Sequence, residues 1–452
     1  MGIKRFKHIA PLAVLRIAFG LVMLISTVRF IAKGWVYDFY IAPRFFFTFY
    51  GFEWVKPLGP AGMYAVFIVM AVAALFVCIG LFYRAAIVTF FVTFLYVELL
   101  DKSYYLNHYY FVSVFAFLMM LVPAHRYFSV DVLLKPSLRR THVPAWMIDI
   151  FKAQLCWVYF CAGLAKLSHD WMIEAMPLKL WLSADGDFPV IGPLLVQPWV
   201  AFAFSWFGAV FDLTIGFFLW NKKTRPVAYV LVVIFHLLTG LLFKIGMFPY
   251  IMIAVTVIFF SEKFHRRLLR VPKDELFDAA EEPRSTGSTP RTTGADPHTT
   301  VPSPRWAAPI LILFIITQLI LPFRYLVYPG KLFWTEEGYR FSWRVMLMAK
   351  GGTAFFYVRD ARTGRRWEVL NGQFLTPLQE RMMDTQPDMI LQYAHYLHDV
   401  YARKGIADPI INVESYVTLN GSGSRLFIDS TVDLAAQRES FLPKKWILPF
   451  RQ

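Results

Sequence analysis

The sequence contains few charged residues and few cysteines, and each shortage narrows the class of protein. Charged residues make up 17% of the 452 positions, below the roughly 25% that is usual in soluble domains. The three cysteines, Cys78, Cys156 and Cys161, all lie in apolar runs, which is typical of small buried side chains and not of a disulfide framework. The sequence also lacks metal-ligand spacings and glycine-rich nucleotide loops. These absences argue against a disulfide-stapled module, a metal enzyme and a nucleotide-binding enzyme.

Apolar residues, by contrast, are abundant. They make up 57% of the chain, and phenylalanine alone occurs 45 times. A helix needs about 20 mostly apolar residues to cross a hydrocarbon layer about 30 Å thick. We therefore predict a polytopic α-helical membrane protein with about nine transmembrane helices and a C-terminal extramembrane α+β domain. The predicted spans are 10–31, 61–82, 85–100, 104–123, 146–167, 199–220, 226–243, 246–261 and 306–326, of which the third and eighth are the short ones.

The net charge of +15 comes mainly from basic residues beside the apolar runs. Such clusters mark the cytoplasmic loops of membrane proteins, so we interpret them as topology signals and expect no nucleic-acid partner. With the N-terminus inside, every second loop is basic, whereas the loop 168–198 has one lysine and four acidic residues. This alternation predicts a multi-pass membrane protein with a cytoplasmic N-terminus and an extracytoplasmic C-terminal domain.

One segment has the composition of a linker. Residues 274–305 are rich in Pro, Gly, Ser and Thr and cannot bury enough apolar surface to fold. We predict a disordered cytoplasmic linker there, between helices one to eight in 1–273 and helix nine at 306–326.

Residues 327–452 show mixed α and β patterns. Alternating runs flank the stretch from Asp360 to Gly364, and two more flank a Gly/Ser turn after Asn420. Residues 377–403 between them have helical spacing. The order hairpin, helix, hairpin predicts a small α+β unit.

Lys166 closes the fifth predicted span, in the run YFCAGLAKLSHDW. Ionisable side chains inside spans are costly to bury and therefore mark candidate sites. One interpretation is a lysine whose amine reaches the interface along its aliphatic stem. The other is a general base, because burial disfavours the charged ammonium.

Two histidines are further candidates. His108 follows Asn107 at the start of the fourth span, where the alternative is an interfacial polar pair in an aromatic belt. His236 lies about halfway along the seventh span, where the alternative is an interhelical hydrogen bond. Lys166, Asn107 and His108 fall at the outer ends of their spans, so we expect these groups and His236 to converge on one pocket in the outer half of the membrane.

Two more ionisable residues are predicted to be structural polar groups in the membrane. Asp212 lies in the sixth span and Arg16 in the first. A membrane carboxylate is expected to pair with a cation or a helix end, and Arg16 is one candidate partner for Asp212.

Several long runs resemble the vitamin K-dependent γ-glutamyl carboxylases. They include LLDKSYYLNHYYF, YFCAGLAKLSHDW and FHLLTGLLFKIGMFPYIM in the apolar part, and FSWRVMLMAK, YVRDARTGR and DMILQYA nearer the C-terminus. The runs occur in the family's order from about Leu12 to the end of the chain. Related bacterial membrane domains are grouped as horizontally transferred transmembrane (HTTM) domains, so the resemblance implies a bacterial-type member in the inner membrane.

The resemblance implies an enzyme that couples two reactions. A reduced vitamin K or menaquinone, a hydroquinone, is oxygenated by O2 to its epoxide, and CO2 is added to the γ-carbon of a glutamate in a peptide or protein substrate. A γ-carbon proton is too weakly acidic for a side chain to remove, so the base has to come from a cofactor. A lipidic cofactor also implies a site that is open to membrane lipid, and no metal is implied.

The same resemblance suggests roles for individual residues. Lys166 matches the catalytic base that deprotonates the hydroquinone. His108 matches a histidine associated with the carboxylation half, and His236 matches a conserved histidine of the family. Asn107 matches a position that hydrogen-bonds the hydroquinone.

Other positions are less specific. Tyr104 and Tyr105 are expected to stack on the quinone ring, although belt tyrosines also serve as interfacial anchors. The segment between Trp171 and Trp181 is shorter than in the family and has Lys179 in place of an arginine-containing stretch, which implies a different contact to the substrate glutamate. Two alternatives remain: quinol epoxidation without carboxylation, and a non-catalytic scaffold that binds quinone or lipid.

Overall fold

The computed structural model describes residues 6–243, 245–270, 300–302, 304 and 306–451. Within these residues, nine apolar helices form the membrane part, and short 3-10 turns at Val257–Phe259 and Leu321–Val327 extend the last two. The helices, α1 to α9 in chain order, are Ala10–Ala32, Pro60–Ile79, Tyr83–Leu100, Asn107–Leu121, Trp146–Lys166, Pro198–Trp220, Arg225–Phe243, Phe248–Thr256 and Ala307–Ile320.

Seven helices in the described part of the chain are long and apolar enough to cross a membrane, and α4 and α8 are shorter. This confirms the predicted polytopic helical membrane protein. The prediction that the third helix is short was wrong, because α3 has 18 residues. The fourth is shorter than predicted because Lys102–Tyr104 forms a separate 3-10 turn, in which the Asp101 side chain accepts from Ser103 N.

Contacts among the loops show how the helices alternate. Lys7 donates to both carboxylate oxygens of Asp149, at 2.6 and 2.8 Å, which joins the start of α1 to the start of α5. Asp131, after α4, accepts from the amides of Phe82 and Tyr83 at the start of α3. We call this the far end, and the end that carries the C-terminal domain the domain end. Successive helices run in alternate directions between the two.

A small antiparallel sheet lies at the far end. Strand β1, Phe6–His8, pairs with β2, His142–Pro144. Thr300 forms a bridge to His142. The predicted linker 274–305 lies largely outside the described residues, which omit 271–299, 303 and 305. Its short described part contacts β2, because Val301 N donates to His142 O at 3.0 Å.

Short helices and 3-10 turns complete the loops. They are Trp35–Tyr40, Val130–Leu134, Pro136–Leu138, His169–Met172, Leu178–Ala184, Gly192–Leu195, Glu262–Leu268, Leu332–Thr335 and Asn371–Gln373.

The C-terminal domain is built on a four-stranded antiparallel sheet in the order β4-β3-β5-β6. Strands β3, Lys350–Asp360, and β5, Pro409–Leu419, pair along their full length. The shorter β4, Arg366–Glu368, and β6, Arg425–Leu426, follow the two predicted turns. The α+β prediction for this part of the chain is therefore confirmed.

Two helices pack on this sheet where one was predicted. They are α10, Pro377–Met383, and α11, Pro387–Arg403. The break occurs because a proline disfavours helical backbone at the preceding residue and is well suited to the first position of a new helix. Met389, Tyr393 and Leu397 of α11 are fully buried, at a four-residue spacing that places them on one face of the helix, toward the core.

Buried hydrogen bonds hold the domain on the membrane part. The Gln379 side-chain amide donates to Phe45 O and to an Asp101 carboxylate oxygen, each at 2.7 Å. Lys102 Nζ lies 2.9 Å from Asp388 Oδ2. The residues just after α3 are thereby connected directly to α10 and α11.

Helix α9 contacts the bundle through a polar anchor. Most of its side chains are exposed, and Gln318 is buried. Gln154 Nε2 donates to Gln318 Oε1 at 3.0 Å, and Gln318 Nε2 donates to Tyr110 Oη at 2.7 Å. Such interhelical hydrogen bonds help membrane helices to associate where the surrounding lipid is itself apolar.

Candidate active site at the domain end

Lys166 and Asp212 form a buried ion pair at the domain end. Lys166 is the last residue of α5 and Asp212 lies within α6, and Lys166 Nζ is 2.7 Å from Asp212 Oδ2. Their side chains are 7% and 5% exposed. A charge in so dry a place requires an opposite charge. Each of the two side chains therefore neutralises the charge of the other within the membrane part.

A close approach of α5 and α6 brings the two side chains together. A Cβ on Gly163 would lie only 2.8 Å from Leu213 N. Because glycine has no side chain, the backbones come close enough at this point for Lys166, one turn on, to reach Asp212. Small residues at such contacts are typical of membrane helix pairs.

Asp212 thus pairs with a cation, as expected, but that cation is Lys166, and the candidate partner Arg16 is wrong. Arg16 lies at the far end, where its guanidinium donates to the carbonyls of Val77, Cys78 and Phe128 at 2.6 to 2.9 Å. It satisfies carbonyl groups at the C-terminal end of α2, which have no partner within the helix. Its role in the structure is to cap a helix.

The Lys166–Asp212 pair lines a mainly apolar cavity of about 730 Å³. Aromatic walls come from Trp171, Phe235 and Phe248, and the polar lining includes His236. We call it the Lys166 cavity.

Trp171 covers the ammonium group. Lys166 Nζ lies 5.3 Å from the Trp171 ring centroid, within cation–π distance. The ring is held in place because Trp171 Nε1 donates to Ser205 O at 2.8 Å and Ser205 Oγ donates to Trp171 O. The aromatic wall next to Lys166 is thus fixed on α6.

His236 is oriented by a tyrosine. Tyr159 Oη and His236 Nε2 are hydrogen-bonded at 2.8 Å. Among the described residues, His236 Nδ1 has no hydrogen-bond partner. The Tyr159 bond fixes the plane of the ring at the cavity wall.

His108 lies one aromatic ring away from the cavity. The His108 and Phe248 ring centroids are 5.7 Å apart, and those of Phe248 and His236 are 5.6 Å apart. His108 is not among the residues that line the cavity in the described part of the chain. Phe248 therefore separates the two histidines.

Asn107 contacts the C-terminal domain. Its side-chain amide donates to Arg344 O at 2.9 Å, and its Oδ1 accepts from Tyr105 Oη at 3.2 Å. Arg344 directly precedes Val345 and Met346, which line the Lys166 cavity. Asn107 thus holds the segment that closes the cavity.

The closing segment has unusual backbone geometry. Phe341, Trp343 and Met346 have φ of 63°, 58° and 56°, in the left-handed region that bulky side chains avoid. Such strained residues persist when their surroundings hold them and cluster at functional sites. Here Phe341 N donates to Tyr105 Oη at 2.8 Å, and the Trp343 ring stacks on Tyr110 with centroids 4.6 Å apart.

Tyr104 and Tyr105 line a second cavity, of about 590 Å³. This cavity also contains Glu98 of α3, which the sequence analysis did not single out, and Ser113 Oγ donates to Glu98 Oε2 at 2.5 Å. Glu98, like Asp212, is an acidic residue inside a predicted span, so the same criterion could have identified it. The structure therefore divides the predicted pocket: Lys166 and His236 share one cavity, and the two tyrosines line another.

The described residues contain one group of side chains with metal-ligand spacing, His169, Asp170 and Glu174. Asp170 is already paired with Lys331 at 2.9 Å and accepts from Asn420 Nδ2 at 2.8 Å. His169 and Glu174 are exposed. The group is better explained as part of the contact between the loop after α5 and the C-terminal domain.

Comparison with protein families agrees with this two-part architecture. The family described as HTTM domain matches residues 4–264, more than half of the chain, and the family described as vitamin K-dependent gamma-carboxylase, lumenal domain, matches residues 303–452. The chain belongs to the vitamin K-dependent gamma-carboxylase family. No solved structure matches it.

The family domains support a vitamin K-dependent carboxylase-like function for this membrane protein. In this member of the carboxylase family, the Lys166 cavity fits a lipid quinone by the character of its lining. The walls are aromatic and aliphatic, which suits a fused ring and an isoprenoid tail, and the lining also contains the polar side chains of Lys166, Asp212 and His236.

Several residues that line the Lys166 cavity were not predicted from the sequence. Tyr159, Phe248 and Val345 line the cavity only because segments distant in sequence pack together. These three residues and Trp171 all lie in runs that resemble the family, but none had a predicted role. No local signal distinguishes Tyr159 from the other membrane tyrosines.

Proposed function

We propose that the protein is a γ-glutamyl carboxylase that couples epoxidation of reduced vitamin K or menaquinone by O2 to carboxylation of a glutamyl residue by CO2. The observation that carries the proposal is the buried Lys166–Asp212 pair in an apolar cavity closed by the C-terminal domain. Its substrates would be a lipid hydroquinone and a glutamate-containing peptide or protein.

Reduced vitamin K, when bound, supplies together with O2 the strong base that the γ-carbon proton requires. The chain's own contribution begins with Lys166, whose Nζ would accept the proton of a hydroquinone hydroxyl group. General bases of this kind must lie within hydrogen-bond reach of the proton, and Lys166 reaches into the cavity.

Asp212 would make Lys166 available as a base. An ammonium group has no lone pair, so Lys166 Nζ first has to pass a proton to Asp212 Oδ2, 2.7 Å away. In a cavity with little water, transfer within the pair costs less than creating an isolated charge. We assign Asp212 as the proton acceptor that keeps Lys166 neutral at the moment of reaction.

His236 would hold a ring oxygen of the quinol. Its Nε2 is engaged by Tyr159, so the ring cannot rotate freely and presents a fixed polar edge to the cavity. Asn107 would act through Arg344 O on the closing segment, which positions Val345 and Met346 over the cavity. His108 would serve the carboxylation half on the opposite side of Phe248.

The proposed location is a bacterial inner membrane, with the N-terminus in the cytoplasm and the C-terminal domain outside. The alternation of basic loops supports this orientation. The proposed boundaries are 1–273 for helices one to eight, 274–305 for a disordered cytoplasmic linker, 306–326 for helix nine and 327–452 for the outer domain.

The decisive experiment is incorporation of labelled CO2 into a glutamyl peptide with hydroquinone and O2. We expect incorporation by the wild type and none by Lys166→Ala. Equal signals from the wild type and Lys166→Ala would contradict the assignment of Lys166. Lys223→Ala is the matched control, because Lys223 is exposed at the far end and lies outside the cavity lining.

A second candidate is quinol epoxidation without carboxylation. The observation that favours it is that Phe248 separates His108 from the Lys166 cavity, so the two halves of the chemistry are not assembled in one space. It predicts epoxide formation that is lost in Lys166→Ala and persists without any glutamyl peptide. Epoxide that requires both peptide and CO2 would exclude this candidate.

The same assays test the non-catalytic alternative. A quinone- or lipid-binding scaffold retains bound quinone, forms neither epoxide nor carboxylated peptide, and is unaffected by Lys166→Ala. Any turnover that depends on Lys166 rules it out.

A further inference from the structure

A large groove at the far end is separate from the Lys166 cavity. It has a volume of about 1,730 Å³ and lies where α5 and α7 begin and where α6 and the turn after α8 end. Lys166 lies at the opposite end of α5. The groove is therefore not part of the proposed catalytic site.

The groove carries an excess of positive charge. Five basic side chains line it, and they are Lys7, Lys152, Lys222, Arg225 and Lys263. Two acidic side chains, Asp149 and Glu262, accompany them. The lining is therefore basic by three charges.

The acids do not neutralise the basic residues evenly. Asp149 is bound by both Lys7, at 2.6 Å, and Lys152, at 4.0 Å. In the part of the chain that the structure describes, the side chains of Lys222 and Lys263 make no hydrogen bond or ion pair. Two ammonium groups thus face the groove with no partner among the residues that the structure describes.

The groove also has an aromatic rim beside the end of α6. Trp220 ends α6, lines the groove and is 48% exposed. Its ring packs edge-on against Phe259, with centroids 6.0 Å apart, and Phe264 beside them is 39% exposed. Exposed tryptophans at helix ends sit at the headgroup level of a bilayer.

Together, these features match an amphiphile with a negatively charged head. We propose that the groove binds the phosphate headgroup of an anionic phospholipid, with its acyl chains beside Trp220. Lys152, Lys222 and Lys263 would contact the phosphate, and Arg225 would shape the site, because its guanidinium donates to the carbonyls of Leu219 and Trp220 at 2.9 and 3.0 Å. Basic pockets between membrane helices are a recognised basis for headgroup binding.

A lipid is favoured over a soluble anion because the basic residues and the aromatic residues of the groove lie next to each other. The basic residues and the exposed aromatic rings line one continuous groove. A free phosphate ion would use the lysines and leave the apolar rim without a partner. A phospholipid uses both, because its phosphate and its chains are covalently joined.

The test uses the full chain purified in mild detergent and incubated with equal amounts of phosphatidylglycerol and phosphatidylcholine. Native mass spectrometry counts the lipids that remain bound. We expect the wild type to prefer phosphatidylglycerol at least about tenfold, since each basic residue near a headgroup contributes to the attraction. The variant Lys152→Gln, Lys222→Gln, Lys263→Gln is expected to lose the preference.

The matched control removes three other charges from the same end, as Lys135→Gln, Lys223→Gln, Arg267→Gln, none of which lines the groove. It should retain the preference. A second variant, Lys152→Arg, keeps the charge and should also retain it, which separates loss of charge from loss of folding.

Three outcomes would overturn the proposal. The first is a wild type without preference, and the second is equal loss in the control triple variant, which means that only the overall surface charge matters. The third is displacement of phosphatidylglycerol by millimolar glycerol phosphate, which means that the groove is a site for soluble anions.

Discussion

At the scale of single residues, the buried Lys166–Asp212 pair is the feature that most needs an explanation. Buried ion pairs are weak contributors to stability, because the cost of removing two charges from water offsets most of their attraction. Apolar residues of similar size would often serve the fold as well. A function in proton transfer is consistent with the presence of charges at this position.

The first prediction compares the loss of Lys166 alone with the loss of both members of the Lys166–Asp212 pair. Lys166→Met leaves Asp212 as an uncompensated buried charge, and we expect it to lower the free energy of unfolding by about 3–5 kcal/mol. The double variant Lys166→Met, Asp212→Leu should recover most of that loss while remaining inactive. Chemical denaturation in detergent measures both effects.

The control for this prediction is Lys7→Met. It breaks the Lys7–Asp149 pair, whose side chains are 21% and 32% exposed, so the expected loss is only about 0–1 kcal/mol. If the double variant is no more stable than Lys166→Met, the two residues do not act as a buried pair.

The second prediction concerns the tyrosine that orients His236. Tyr159→Phe removes one hydrogen bond, worth about 0.5–1.5 kcal/mol, and frees the His236 ring. We expect hydroquinone-dependent turnover to fall by roughly 2- to 10-fold, while the unfolding midpoint changes little. Tyr229→Phe is the control, because its hydroxyl donates to Ile253 O at 3.3 Å and does not touch His236. Equal losses in both variants would contradict a specific role for Tyr159.

Candidate residues could be recognised from the sequence where their chemistry is locally visible. Ionisable groups in spans are identifiable from the sequence, so Lys166, His236 and Asp212 were singled out as candidates. The partner of Asp212 was not identifiable, because it depends on which helices pack side by side. The same reason explains why Tyr159 was missed and why Tyr104 and Tyr105 lie in a different cavity from the one expected.

At the scale of elements, the contact between α5 and α6 determines the geometry of the site. Gly163 permits the close approach, and Asp212 and Lys166 meet beside it. Gly208 lies on the same face of α6, but a Cβ there would lie 3.7 Å from the Trp171 ring and 3.9 Å from Lys166 Cε. The two glycines therefore differ in how much room surrounds them.

The third prediction uses this difference. Gly163→Ala places a Cβ 2.8 Å from the Leu213 backbone, which forces the helices apart and is expected to cost about 1–3 kcal/mol of stability together with activity. Gly208→Ala, at ordinary contact distance, should keep or slightly raise stability, since alanine favours a helix by about 1 kcal/mol over glycine. Thermal unfolding and turnover of the two variants measure the contrast, and similar behaviour of the two variants would refute it.

The boundaries of helices and strands were predictable where residues that favour turns mark them. The turns at Asp360–Gly364 and after Asn420 were recognised because Gly and Asp favour turns. The helix 377–403 was predicted as one piece, although Pro387 divides it into α10 and α11. The start of α4 was misplaced because the capped turn after Asp101 resembles a helix in composition.

At the scale of the whole molecule, charges fasten the C-terminal domain to the membrane part. Asp388 of α11 lies 2.7 Å from Arg340 Nη1 and 2.9 Å from Lys102 Nζ. Burial alone would raise the pKa of Asp388, but Arg340 and Lys102 hold it well below its ordinary value. The carboxylate therefore stays ionised between two cations.

The fourth prediction follows from the sign of that shift. Because the folded pKa of Asp388 is below the unfolded value of about 3.9, its contribution to stability is fully present above that pH and is lost as pH falls towards the folded pKa. Asp388→Asn should thus destabilise the protein at pH 7, and the difference from wild type should shrink below about pH 4. Unfolding midpoints between pH 7 and pH 3 measure this.

The control is Asp408→Asn, because the Asp408 side chain is 94% exposed. It should change the midpoint little at any pH in this range. A constant difference between Asp388→Asn and wild type down to pH 3 would show that the carboxylate is not the titrating group.

The fifth prediction tests the orientation of the molecule. Ser424→Cys lies in the exposed β5–β6 turn, and Lys135→Cys lies in the exposed loop after α4 at the far end. In intact cells, a membrane-impermeant thiol reagent should label Ser424→Cys and should label Lys135→Cys only after lysis. The reverse pattern would invert the proposed topology.

The sequence by itself determined the polytopic helical membrane class of the protein and the α+β character of the C-terminal domain, and it singled out several ionisable groups as candidates. These properties follow from local physics, since about 20 apolar residues span a bilayer wherever they occur and a charge inside a span is conspicuous. The tertiary structure alone decided that the partner of Asp212 is Lys166 and not Arg16. It also decided that Phe248 separates His108 from His236. It also decided that the basic residues at the far end line a groove. Those outcomes depend on which helix faces pack together, and packing is a property of pairs of segments that no single segment specifies.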